Sequence, residues 1–141
     1  MRRTTLAAAA AIVALLASTS ATEAPADGAW AGQANKVCTY WLAKVKQAFA
    51  TPVTTAQLYG FAVKAQSLEG QELAQLEQIP GRDANASAAL AAVKTDIAEV
   101  GAAITAWHNG DPAAFVTILK RYLNDNRPKS AFILAGARSC G

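Results

Sequence analysis

In this 141-residue chain the residues whose types invite chemistry are few: two cysteines, one histidine, four serines in the body of the chain and two close pairs of carboxylates. His108 is the only histidine. A di-iron or di-manganese bundle site needs two Glu-x-x-His pairs, and zinc sites need several His or Cys ligands, so neither can be built. There is no C-x-x-C-H run for covalent haem, and no metal or cofactor is expected. A Ser-His-Asp arrangement would have to join His108 to Ser67, Ser87, Ser130 or Ser139, none of which sits in a G-x-S-x-G turn. No catalytic residue is nominated. His108 reads instead as a side chain near a helix C-terminus, at the negative end of the helix dipole. Glu69 and Glu72 share one helical face, and Asp96 and Glu99 share another. Paired carboxylates do acid–base work when burial separates their pKa values, but at this spacing solvated surface is the expectation.

Residues 1–26 read as an export signal. Arg2 and Arg3 form a positive start, Leu6 to Ala17 an apolar stretch, and Thr19-Ser20-Ala21 and Ala24-Pro25-Ala26 two candidate cleavage sites. The apolar stretch falls short of the ~20 residues of a membrane span, so no transmembrane anchor is expected. The expected product, cleaved after Ala21 or Ala26, is secreted or lies in the cell envelope. Residues 27–141 then form a single domain with 11 basic and 9 acidic residues, a balance that calls for no nucleic-acid partner.

That domain is helical in period nearly throughout. Leu90, Val93, Ile97, Val100, Ile104 and Trp107 mark a seam between Asp83, a candidate N-cap, and the stop at Asn109-Gly110. Before it, Leu58, Phe61, Ala65 and Leu68 form a stripe that continues through Leu73, Leu76 and Ile79 after a one-residue slip near Gly70. Thr54 is its candidate cap, and Pro80-Gly81 its end. A first helix over about 29–49 places Trp30, Val37, Trp41 and Val45 inward, and a fourth starts at Asp111-Pro112 with Phe115, Ile118, Leu119 and Tyr122 on its apolar face. Pro128 disfavours helical geometry just before it, so the last helix should kink or break there and resume to Gly136. The expected fold class is all-α: an up-down-up-down four-helix bundle with its first and fourth helices adjacent.

Cys38 and Cys140 complete this picture. An even number of cysteines in an exported chain reads as one disulfide. Cys38 lies about nine residues, roughly 13 Å, into the first helix. The four residues after Gly136 reach up to ~14 Å, enough to climb back to it. The layout A-N-K-V-C at Ala34 to Cys38, Asn109-Gly110-Asp111, and a closing G-A-R-S-C-G resembles that of uncharacterised secreted actinobacterial proteins. Those are alanine-rich, all-helical chains with an early cysteine and a final Cys-Gly. The resemblance implies the fold and, since that group has no established activity, no function. Pro128 departs from the unbroken last helix it implies.

Charge and the tryptophans supply the functional expectations. Lys36, Lys44 and Lys46 on the first helix join Lys120, Arg121, Arg127, Lys129 and Arg138 near the end, giving segments 27–50 and 111–141 a net +5 against −3 for 51–110. A solvated surface accounts for this pattern by itself. As a site, it would take an anionic envelope polymer, lipid headgroups or another protein. The partner is otherwise unknown. The alternative is a carrier holding a small apolar ligand in a groove near Trp41 and Trp107, although tryptophans also simply fill small cores. An enzyme stands third, for want of a constellation joining nucleophile, base and oxyanion donors.

Overall fold

The computed structural model describes residues 28–48 and 54–140. The export signal and its cleavage sites lie outside these residues. Five α-helices follow in order, α1 Ala29–Ala48, α2 Thr55–Glu77, α3 Ala84–His108, α4 Pro112–Leu123 and α5 Arg127–Leu134, before a 3-10 turn at Arg138–Cys140. α4 and α5 together occupy the fourth position of an up-down-up-down bundle, and the break between them falls at Asn124–Asn126, as Pro128 requires. Among the described residues no helix is long and apolar enough to cross a membrane.

The helix ends obey local chemistry. Thr54 and Gln57 form a capping box, the Thr54 hydroxyl accepting from Gln57 N–H and the Gln57 side chain from Thr54 N–H. Asp83 accepts from Ala86 N–H at 2.7 Å and Asp111 from Ala114 N–H at 2.8 Å, with Pro112 in the first turn. After α5, Gly136 adopts φ +78°. Its N–H donates to Ile133 and that of Ala137 to Phe132, the paired pattern of a left-handed helix stop. Phe132 and Ala137 are both buried, so this stop is anchored in the core and turns the tail toward α1.

Two apolar clusters fill the bundle. At one end Ala62 of α2, Val100 and Ala103 of α3, and Phe115 and Leu119 of α4 pack together. At the other, Trp30, Ala31, Ala34 and Cys38 of α1 meet Leu73, Leu76, Ala86, Leu90, Phe132 and Ala137. Full burial of a Phe or Leu contributes roughly 1.5–3 kcal/mol each. On α3 the most deeply buried positions include Ala86, Ala89, Val100 and Ala103, while Val93, Ile97, Ile104 and Trp107 of the expected seam pack at the cluster margins. The small side chains let α2, α4 and α5 approach α3 closely.

The expected adjacency of the first and fourth helices holds only for the last part of the chain. α1 packs on α2 and the 3-10 turn, whereas α4 packs on α3 and α2 around the other cluster. α4 is only 12 residues long, and its buried Phe115 and Leu119 belong to the cluster that contains no α1 residue. The Cys38–Cys140 disulfide is formed, with Cα atoms 5.0 Å apart and a sequence separation of 102. The Asn35 side chain supports it: Oδ1 accepts from Ser139 N–H at 2.7 Å, and Nδ2 donates to the Gly136 carbonyl.

Candidate functional site

Between the two apolar clusters lies a layer of carboxylates. On α2 it falls between Ala65 and Leu73, and on α3 between Val93 and Val100. From the fourth position, the Asn124–Asn126 break brings Asp125 to it. The residues expected on solvated faces are thus turned inward: Asp96 is buried, and Glu69, Glu72 and Glu99 are half-buried. Helical phase explains why. Asp96 falls in register with Ala89, Val93, Val100 and Ala103, and Glu69 and Glu72 with Ala62, Ala65 and Leu76.

Each carboxylate has a distinct environment. Tyr122 O–H donates to Glu69 Oε1, while Glu69 Oε2 is buried with no donor. Asp125 accepts from the Arg127 guanidinium at 2.5 and 2.6 Å and from Arg127 N–H at 2.8 Å. Glu99 Oε1 pairs with Arg121 at 3.2 Å and Arg127 at 3.7 Å, and Glu99 Oε2 has no donor. Asp96 Oδ1 likewise has none.

Burial raises Asp96 to about 7, with Asp125 and Glu69 adding to the shift and Arg127 opposing it. Burial, then Glu69, raises Glu72 to about 7. Glu69 itself is raised by burial against the hydrogen bond from Tyr122, and burial followed by Glu69 also raises Tyr122. Asp125 moves the other way, to about 2, chiefly through the hydrogen bonds from Arg127. Glu69, Glu72 and Asp96 line a cavity of about 130 Å³ with Pro128, Phe132 and Cys140. Glu99, Asp125, Arg121 and Arg127 face an open recess of about 660 Å³.

The structure divides the eight expected anion-binding residues. Arg121 and Arg127 are occupied by Glu99 and Asp125. Lys36, Lys44, Lys46, Lys120, Lys129 and Arg138 are exposed and have no carboxylate partner among the described residues; Lys44 lies over the Tyr40 ring. Lys64 and Arg82, outside the expected basic segments, are exposed and unpaired in the same sense. The described carboxylates are all committed elsewhere. Asp83 and Asp111 cap helices, Glu77 pairs with Lys94 at 2.6 Å, and the remaining five form the inner layer. The outer surface is therefore more positive than the net charge suggests.

Trp41 and Trp107 are not brought together. Trp41 donates to Gln75 at 3.1 Å, and Trp107 stacks on Tyr59. Those partners are sixteen residues apart on α2, about 24 Å along its axis. His108 Nε2 lies 3.1 Å from the Tyr59 hydroxyl oxygen, and the two rings meet edge to face. The cavity beside the buried acids was the feature missed from sequence. Its signal was the helical phase shared by Asp96, Glu69 and the alanines. Set against family models, curated proteins and solved structures, the chain matches none.

Proposed function

We propose that the chain is a non-enzymatic exported binding protein that engages an anionic partner, an acidic component of the envelope or an acidic protein surface, through its exposed cations. One observation carries this reading: the lysines and arginines not held by carboxylates face outward, while the described carboxylates are turned inward, spent on helix caps or, at Glu77, paired with Lys94. An anion approaching the bundle meets free ammonium and guanidinium groups with few competing acids. Export is supported by the N-terminal residues and by a disulfide suited to an oxidising compartment. The apolar-carrier alternative needs Trp41 and Trp107 on one groove, and their separation along α2 gives it no support.

The test uses co-sedimentation with phosphatidylglycerol vesicles and retention on immobilised poly-glutamate. Replacing Lys36, Lys44, Lys46, Lys120, Lys129 and Arg138 with glutamine should abolish binding to whichever probe the native protein takes, at unchanged helix content. Arg121 and Arg127 stay in place, because their replacement would also release Glu99 and Asp125. Binding that survives the six changes refutes the reading.

A further inference from the structure

We propose that Asp96, Glu99 and Asp125 form a site for a divalent hard cation of Ca²⁺ size. One carboxylate oxygen from each lies within 4.8 Å of the other two. Ca²⁺ takes oxygen ligands at about 2.3–2.6 Å, so oxygens on a common ion lie no more than about 5 Å apart. Acidic groups often gather on surfaces without binding anything, but here a second observation points inward. The Asp96 residue is only 8% exposed, and its Oδ1 atom is buried with no donor. A buried carboxylate oxygen left without a donor is costly, and this one belongs to a side chain whose carboxylate lies within 4.8 Å of both neighbours. Glu99 Oε2 is in the same position.

The arginines do not fill this need. Arg121 and Arg127 engage Glu99 Oε1, and Arg127 engages Asp125 Oδ2, from side chains that are 65% and 61% exposed. They and the Arg127 N–H satisfy both oxygens of Asp125 and one of Glu99, and leave Asp96 Oδ1 and Glu99 Oε2 bare. With Glu69, whose Oε2 also lacks a donor, the four acids carry −4 once fully deprotonated, against +2 from the two arginines. A divalent cation balances that charge. The donors are all oxygen, which selects hard cations over the zinc and copper preferred by imidazole and thiolate sites. Two ligands stand three residues apart on α3, and the third comes from the break between α4 and α5. Bound cation would therefore tie the broken fourth position to α3.

Calorimetric titration of the chelator-treated protein with CaCl₂, alongside thermal unfolding, tests the site. One Ca²⁺ should bind per chain, and the unfolding midpoint should rise by roughly 8 °C at 100 times Kd. Asp96→Asn and Glu99→Gln should each weaken binding at least about tenfold, the loss that even outer-shell changes cause at metal sites. Asp96→Asn removes a buried charge, so its metal-free fold should persist and keep the comparison valid. Glu77→Gln, on the outer face, should leave binding unchanged. Absence of both heat and midpoint shift up to ~10 mM Ca²⁺, above the weak extracellular range, overturns the proposal. So does a Ca²⁺ response retained by both the Asp96 and Glu99 variants, since the ion would then bind elsewhere.

Discussion

Opening the Cys38–Cys140 bridge should cost the domain a large part of its stability while leaving its folded structure in place. The bridge spans 102 residues of sequence, and chain entropy assigns ~4.7 kcal/mol to a loop of about that size. Set against a typical ~5–15 kcal/mol for a domain, that share is decisive. The loss arises mainly in the unfolded chain, which gains freedom when the strap opens. In the fold, Phe132 and Ala137 remain buried at 3% and 0% exposure and hold α5 and the start of the tail without the sulfur link. Urea unfolding followed by helix ellipticity is the assay, comparing oxidised protein, reduced protein and a Cys38→Ala/Cys140→Ala double variant. With a slope of about 2 kcal/mol per molar urea, the midpoint should fall by roughly 2 M, with native helix content unchanged before the transition. The double variant should lose slightly more, because Cys38 is buried at 2% exposure and alanine leaves a void. Coincident oxidised and reduced midpoints would refute the reasoning, as would loss of helix on reduction before any urea is added.

The native fold holds the Glu72 proton to about pH 7, against ~4.3 for the unfolded chain, so it binds more protons across that window and stability falls as pH rises through it. With chelator present, urea midpoints should drop between pH 5 and pH 7.5, by up to ~1.4 kcal/mol per pH unit for this group, and drop less in Glu72→Gln; a flat profile excludes the buried carboxyl. Gly136→Ala should destabilise by about 1–2 kcal/mol, because φ is +78° there and the new Cβ would lie 3.3 Å from Ala31 Cβ; a neutral change in the urea midpoint would contradict the left-handed helix stop. Phe115→Ala should cost about 3–5 kcal/mol, since the ring is fully buried against Trp107 and Tyr59; a midpoint within ~0.3 M of native would be inconsistent with that cluster.

The backbone was the readable part of this sequence, because its signals are local. Thr54, Asp83 and Asp111 act as caps, Gly110 and Gly136 as stops, and Pro128 marks the break. The disulfide followed once those ends placed Cys140 beside α1. The acidic layer was harder to see. Apolar periodicity traced α3 through its large side chains, yet the most buried stripe is largely alanine, and Asp96 lies in phase with that stripe. Small residues carry little hydrophobic signal although they mark where helices approach most closely. The charge pattern was legible by segment but not by pairing. That Arg121 and Arg127 would turn to Glu99 and Asp125 depends on the break bringing residues of the fourth position against mid-α3.

The exposed cations make the strongest claim about what the protein does, and the salt dependence of its binding measures that claim most directly. Affinity for phosphatidylglycerol vesicles and for poly-glutamate should be followed from 50 mM to 500 mM NaCl. Contacts between exposed charges are screened beyond about 8 Å at physiological ionic strength, and more closely as salt rises. The account predicts binding at low salt to at least one probe, weakening by tenfold or more across the range. Binding that ignores salt, or no binding to either probe at 50 mM, would contradict it.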